Sequence, residues 1–218
     1  MEIISVGFYC LTSHYIRSIT NDRSESYPFD WLFTSIDMVK HCIETKFAFF
    51  LDKKYYISNG LGMFHIYYQP FINNLMIHTH NEGFIPRGHL PRIFNHHNLT
   101  RPDVYESFKR RCERFLKTLE NTTIKVKLIY SIKFYGEDEN DFEDIKKFSE
   151  YMLVNYPNVK IYCFKFIDTT PNIPKDPRLV VDQSNLQIYN IYIYSKLKGP
   201  LDLSIEAEQS IKEILYKD

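Results

Sequence analysis

Cys10 closes the stretch Ser5-Val6-Gly7-Phe8-Tyr9-Cys10. The apolar run Ile3–Val6 reads as a short buried strand, Gly7 ends it, and Cys10 to Ile19 has helical spacing. A thiol in the first turn of a helix lies among N–H groups that have no helical partner, at the positive end of the dipole. Both favour the thiolate and lower its pKa from a free value of roughly 8.5. The same spacing suits a small apolar residue in a core, so both readings stand at this position.

A thiolate nucleophile is usually served by a histidine, whose pKa lies near neutrality. Six of the eight histidines, His65, His78, His80, His89, His96 and His97, fall in the middle of the chain, and none follows His97. Asp202 near the C-terminus has no histidine beside it, which disfavours an esterase with its Asp-x-x-His at that end. The order must be cysteine first, histidine in the middle. His14 is one helical turn from Cys10 and could pair with it. Metal binding through His78, His80, His96 and His97 is the rival reading, but no HExxH and no finger spacing occur. For each of these histidines alone, a loop or hairpin surface residue is the plainer reading.

The elements that must hold these residues follow an α/β rhythm. After the first strand and helix, Ser24–Phe29 reads as a loop. A helix capped by Thr34 or Ser35 follows, with Ile36, Val39, Ile43 and Phe47 on one face. Two strands around Asn59-Gly60 suggest a hairpin, and Asn81–Asn98 is loop-like. Thr100 is the expected cap of a helix with the stripe Val104, Phe108, Cys112, Phe115, Leu119. Strands over Val126–Ile132 and Val159–Phe166 flank a helix over Asp141–Tyr156. Strand-like runs at Leu179–Val181 and Leu186–Tyr194 precede a helix capped by Ser204. This alternation predicts an α/β fold, a mainly parallel central sheet flanked by helices, with an aromatic β-hairpin insertion at about 52–98 in one domain over 1–218.

The 218 residues suffice for a real core, and Lys plus Arg equal Asp plus Glu at 27 each, so nothing steers the chain toward nucleic acid or an acidic membrane. The basic cluster Lys109-Arg110-Arg111 reads as one side of a mixed-charge helix. No run is apolar enough to cross a bilayer, and the start Met1-Glu2-Ile3-Ile4 lacks the features of a signal peptide; a cytoplasmic location is expected. Cys42, Cys112 and Cys163 read as buried fillers in a reducing compartment. The Ile-, Lys-, Asn- and Tyr-rich composition suggests an AT-rich genome, such as a large DNA virus or a low-GC bacterium.

Five stretches occur in a telling order: SVGFYC at 5–10, YIR at 15–17, YPFDWLFTS at 27–35, FNHHN at 94–98 and FKRRCERF at 108–115. Together they resemble a papain-like cysteine peptidase family of unknown function, with members in bacteria and large DNA viruses. Its pattern runs Gly-x-x-Cys, Leu-Arg, Pro-Phe-Asp-Trp, Phe-x-His, Arg-Arg-x-x-Arg-Phe. Phe8 and Tyr9 replace the family's small polar residues, and His97 replaces an acidic one.

The resemblance implies Cys10 as nucleophile and His96, with His97 as the alternative, as base. Asp138, Asp168 and Asp182 are candidates for orienting the imidazole. The Gly7–Cys10 turn would hold the oxyanion. Asp30 could bond loop N–H groups or pair with Arg17, and Trp31 could plug the core. Arg110, Arg111 and Arg114 could bind an anionic substrate group or pair with acids. Gly7, Arg17, Asp30, Trp31, Arg110 and Arg111 are therefore the expected substrate-binding set.

The function expected is thiol-dependent hydrolysis or acyl transfer on a peptide, amide or small-molecule substrate lying against Tyr55–Tyr68 and Phe84–His97. It needs no cofactor and no metal, and neither nucleic acid nor membrane is an expected partner. Two rivals remain. One is a nucleotide-sugar-dependent transferase, which the absence of GxGxxG and Asp-x-Asp disfavours. The other is a binding module on a degenerate enzyme fold, with aromatics (16% of residues) forming a recognition patch.

Overall fold

Alternation along the strand Val126–Phe134 sorts its side chains onto two faces. Val126, Leu128, Tyr130 and Ile132 enter the larger core, while Ile129 enters a second, smaller one. A strand buried on both sides belongs in the middle of a helix-covered parallel sheet. The computed structural model describes residues 1–7, 10–20, 25–58, 63–72, 93–94, 97–134, 142–168, 176–193, 203 and 205–217, without the side chains of Leu11, Lys133, Phe134 and Asp168.

The described elements are, in order, β1 (Glu2–Ser5), α1 (Cys10–Ile19), α2 (Ile36–Glu44), β2 (Tyr56–Ser58), β3 (Met63–His65), α3 (Pro102–Glu120), β4 (Val126–Phe134), α4 (Glu143–Asn155), β5 (Val159–Asp168), β6 (Arg178–Gln183), β7 (Leu186–Ile193) and α5 (Ile205–Tyr216). The central sheet has the order β1-β4-β5-β7-β6. The β1–β4, β4–β5 and β5–β7 pairs are parallel, and only β6 runs antiparallel, at the edge away from β1. The α/β fold with a mainly parallel, helix-flanked sheet is thus observed.

One face carries α1 and α5, whose Tyr15, Ile16, Ile19, Ala207, Ile211 and Leu215 pack on Ile3, Ile129, Tyr162, Phe164, Phe166 and Ile191. Each large apolar side chain so buried contributes about 1.5–3 kcal/mol. The other face carries α2, α3 and α4, together with an aromatic layer. In that layer Phe29 meets Phe115 edge-on at 5.5 Å, Phe50 meets Phe94 at 5.5 Å, and Phe94 meets Phe108 at 5.7 Å. The aromatics are therefore mostly core. Among the described residues, Tyr216 is the one aromatic in the set of exposed large apolar side chains.

One open alternative is decided and two local expectations change. Ser35 caps α2 by accepting from Met38 N–H at 3.1 Å, whereas Thr34 turns away toward β1. Thr100 does not cap α3: Arg101 occupies the cap position without a side-chain bond, and the Thr100 hydroxyl donates to Asn98 Oδ1 at 2.6 Å. Of the basic cluster on α3, Lys109 and Arg110 face solvent while Arg111 is half-buried. β2 and β3 pair antiparallel as a hairpin requires, though Asn59-Gly60 and Ser204 lie outside the described residues. No helix among the described residues is long and apolar enough to cross a membrane.

Candidate functional site

The turn between β1 and α1 is shaped by a close approach. Gly7 has φ +115°, and a Cβ there would collide with the Thr34 hydroxyl. That hydroxyl donates to the Val6 carbonyl at 2.8 Å. On the other side, Ser131 N–H donates to the Gly7 carbonyl at 3.2 Å, and Val6 N–H to the Ile129 carbonyl at 2.9 Å. The backbone leaving β1 is clamped between the Thr34 segment and β4.

Cys10 follows as the first residue of α1, at the C-terminal end of a parallel sheet, where ligands of open α/β folds bind. It is buried, at 8% exposure, and is absent from the two core clusters that the described residues form. Cys42, Cys112 and Cys163 all lie in the larger core, and burial pushes their thiols up in pKa. The four thiols form no disulfide. Those three cysteines are fillers, and Cys10 is placed differently.

One helical turn along α1, Ser13 meets Asp30. The Ser13 hydroxyl lies 3.2 Å from both Ser5 Oγ and Asp30 Oδ1, and it accepts from Trp31 N–H at 3.3 Å. Asp30 Oδ2 accepts from Tyr27 N–H at 2.9 Å, closing the Tyr27–Asp30 turn on itself. Arg17 Nη2 stands 4.0 Å from Asp30 Oδ2. Asp30 thus bonds a loop N–H and also faces Arg17. Trp31 has φ +67° and is only half-buried; its neighbours Phe29 and Leu32 fill the core instead.

Ile93 and Phe94 run beside the Thr34 segment and β3, and His97, three residues on, packs against α3. Phe33 N–H donates to the Ile93 carbonyl at 3.3 Å, next to the Thr34 that abuts Gly7, and Phe94 bridges Met63 of β3. The His97 ring meets Phe108 edge-on at 4.9 Å, and the Arg111 guanidinium sits 4.8 Å from the centre of the same ring. Burial lowers the Arg111 pKa, against the pull of Asp30. His96 lies outside the described residues.

The structure therefore sets Gly7 and Cys10 at the end of β1, ties Asp30 and Trp31 to it through Ser13, and brings Arg17 and Arg111 toward Asp30. Arg110 points elsewhere: it lines a surface groove of about 380 Å³ on α3 with Glu113, Arg114 and Lys117. Asp182 lies on β6, at the opposite edge of the sheet, and accepts from Gln187 Nε2 at 3.0 Å. Asp168 ends β5, with its side chain outside the described residues, as is all of Asp138. No group of three His, Cys, Asp or Glu side chains among the described residues could hold a metal ion.

Sequence reasoning missed Ser13, Thr34, Ser26 and Ser131. Ser13 was findable, since Cys10, Ser13 and Arg17 at i, i+3 and i+7 share one helical face. The parts played by Thr34 and Ser131 are tertiary and leave no local signal.

Residues 1–151 match the family model described as "Putative papain-like cysteine peptidase (DUF1796)". The chain belongs to this family. No match is found among curated proteins or among solved structures. In this papain-like cysteine peptidase family member, the match covers the whole gathering of residues around Cys10. It ends inside α4, so β5, β6, β7 and α5 lie beyond it.

Proposed function

We propose that the protein is a thiol-dependent hydrolase or acyl-transfer enzyme acting on a peptide or amide carbonyl, with Cys10 as nucleophile. The observation that supports this is the setting of Cys10. It is buried like the other three cysteines, but it opens α1 at the end of β1 after a clamped positive-φ glycine, whereas Cys42, Cys112 and Cys163 lie inside helices or strands and within the larger core.

In this reading His96 or His97 takes the Cys10 proton and the thiolate sulfur bonds to the carbonyl carbon. The resulting oxyanion accepts from backbone N–H groups at the start of α1, where a helix offers donors that have no helical acceptor. The imidazolium then gives its proton to the leaving amine as the C–N bond breaks. Water or another acceptor, deprotonated by the same imidazole, attacks the thioester and releases the thiol. The Asp30–Ser13 contact fixes α1 against the Tyr27–Trp31 turn, holding the thiol in register with its partners.

The test is the rate of Cys10 alkylation against pH, in protein whose Cys42, Cys112 and Cys163 are replaced by Ala. The expected thiol titrates well below its free value of about 8.5, and His96→Ala or His97→Ala slows it. The Cys10→Ala variant keeps its fold and loses roughly 10³-fold or more of any turnover. A Cys10 that reacts only when the protein unfolds overturns the proposal.

A further inference from the structure

Arginines from two helices converge on the turn that holds Asp30. Arg17 reaches the Tyr27–Trp31 turn from α1, donating to Ser26 Oγ at 2.7 Å. Arg114 reaches it from α3, donating to the Ser26 carbonyl at 2.8 Å, with its Nε 3.5 Å from Glu25. Arg111 feels all of them, attracted by Asp30 and repelled by Arg17 and Arg114. Among the described residues, the Arg17, Arg111 and Arg114 guanidinium groups meet the Asp30 and Glu25 carboxylates here, and Glu25 is largely in solvent. The Arg111 Nη1 is shut off from water and has no hydrogen-bond partner. A guanidinium does not release its proton to escape this, and leaving such a donor unmet is costly. The ring of Phe108 stacks against the guanidinium and orients it.

We infer that Arg111, with Arg17 beside it, binds a carboxylate of the substrate. A carboxylate matches the planar guanidinium fork and gives Nη1 its missing acceptor. The site also has a measurable offset from the thiol. Arg17 lies seven residues beyond Cys10 on the same face of α1, about 10 Å along the helix axis. Long helical side chains lean back toward the N-terminus, which shortens that gap. An extended peptide advances about 3.3 Å per residue. A chain lying along α1 with a carbonyl at Cys10 would therefore place its carboxylate two or three residues away. That spacing rests on the proposed role of Cys10; the carboxylate site itself does not. The carboxylate is either the C-terminus of a short leaving segment or an Asp or Glu side chain.

Three probes separate these cases on the Cys10→Ala protein by calorimetric titration: acetyl-tetra-alanine with a free carboxylate, the same peptide amidated, and the amidated peptide with Glu at its third position. At least one acidic probe is expected to bind about tenfold or more tighter than the plain amide, with added salt weakening it. Preference for the free acid names the C-terminus, and preference for the Glu peptide names a side chain. Arg111→Met keeps the apolar stem on Phe108 and should erase the preference. Arg111→Lys keeps the charge without the fork and should retain part of it. Lys117→Met, an equal loss of charge on the outer side of α3, should leave it intact. Equal binding of the three probes, no binding at millimolar concentration, or a preference surviving in both Arg111 variants overturns the inference. A reactive wild-type Cys10 with no acid preference removes the carboxylate site alone. An inert Cys10 with the preference intact removes the nucleophile alone.

Discussion

Gly7 shows how tightly one residue can be specified. Its φ of +115° and the Thr34 hydroxyl in the space of its missing side chain each exclude any other residue. Gly7→Ala is expected to cost roughly 2 kcal/mol or more, from backbone strain and the collision together. Urea denaturation measures it. Adding Thr34→Ala should recover the part due to collision and leave the strain. The need for a glycine was legible in the strand–Gly–helix pattern, but its neighbour was not, because Thr34 reaches it only through the fold. Asp30 was readable to a similar depth. A carboxylate in Tyr-Pro-Phe-Asp-Trp bonds back to the turn by short-range logic, while its link to Ser13 depends on where α1 lies.

At the scale of elements, the hairpin β2–β3 carries a histidine that the local sequence disguises. His65 looks like a surface hairpin residue, yet it is fully buried among Phe50, Tyr55 and Tyr68, with ring centres at 6.2, 5.5 and 4.8 Å. Its Nε2 lies 3.1 Å from the Phe49 carbonyl. Burial pushes its pKa from 6.5 down to about 4. Between those values the unfolded chain holds a proton that the folded chain does not. Stability should therefore fall as pH drops through this window, by about 1.4 kcal/mol per pH unit from this residue. Denaturation of wild type and His65→Phe across pH 4–7 checks this: the difference between them should carry the slope. An unchanged slope would mean that His65 is already protonated in the fold. Helix and strand types were legible because their apolar periods are clean, as in the Phe108, Cys112, Phe115, Leu119 stripe of α3. Capping was less legible: Thr34 and Ser35 are chemically equivalent caps, and only the position of β1 recruits Thr34 elsewhere.

Over the whole molecule, the family match and the folding unit have different limits. The match stops at residue 151, yet β5 pairs with β4 along nine residues and supplies Tyr162, Phe164 and Phe166 to the smaller core. Lys127 of β4 also donates from its buried ammonium to the Leu215 carbonyl near the end of α5, at 2.6 Å. A fragment of residues 1–151 should show no cooperative thermal transition, whereas the full chain should. A sharp transition in the fragment would show that the matched part folds alone. The sheet also sets a timetable for synthesis. Tyr15 of α1 rests edge-on against Phe164 and Phe166, at 6.3 and 6.0 Å. The helix that begins with Cys10 leaves the ribosome some 150 residues before the bed it lies on. Through that interval the thiol has no assembled surroundings, so a nascent chain carries the residue without the setting that the proposed reactivity needs.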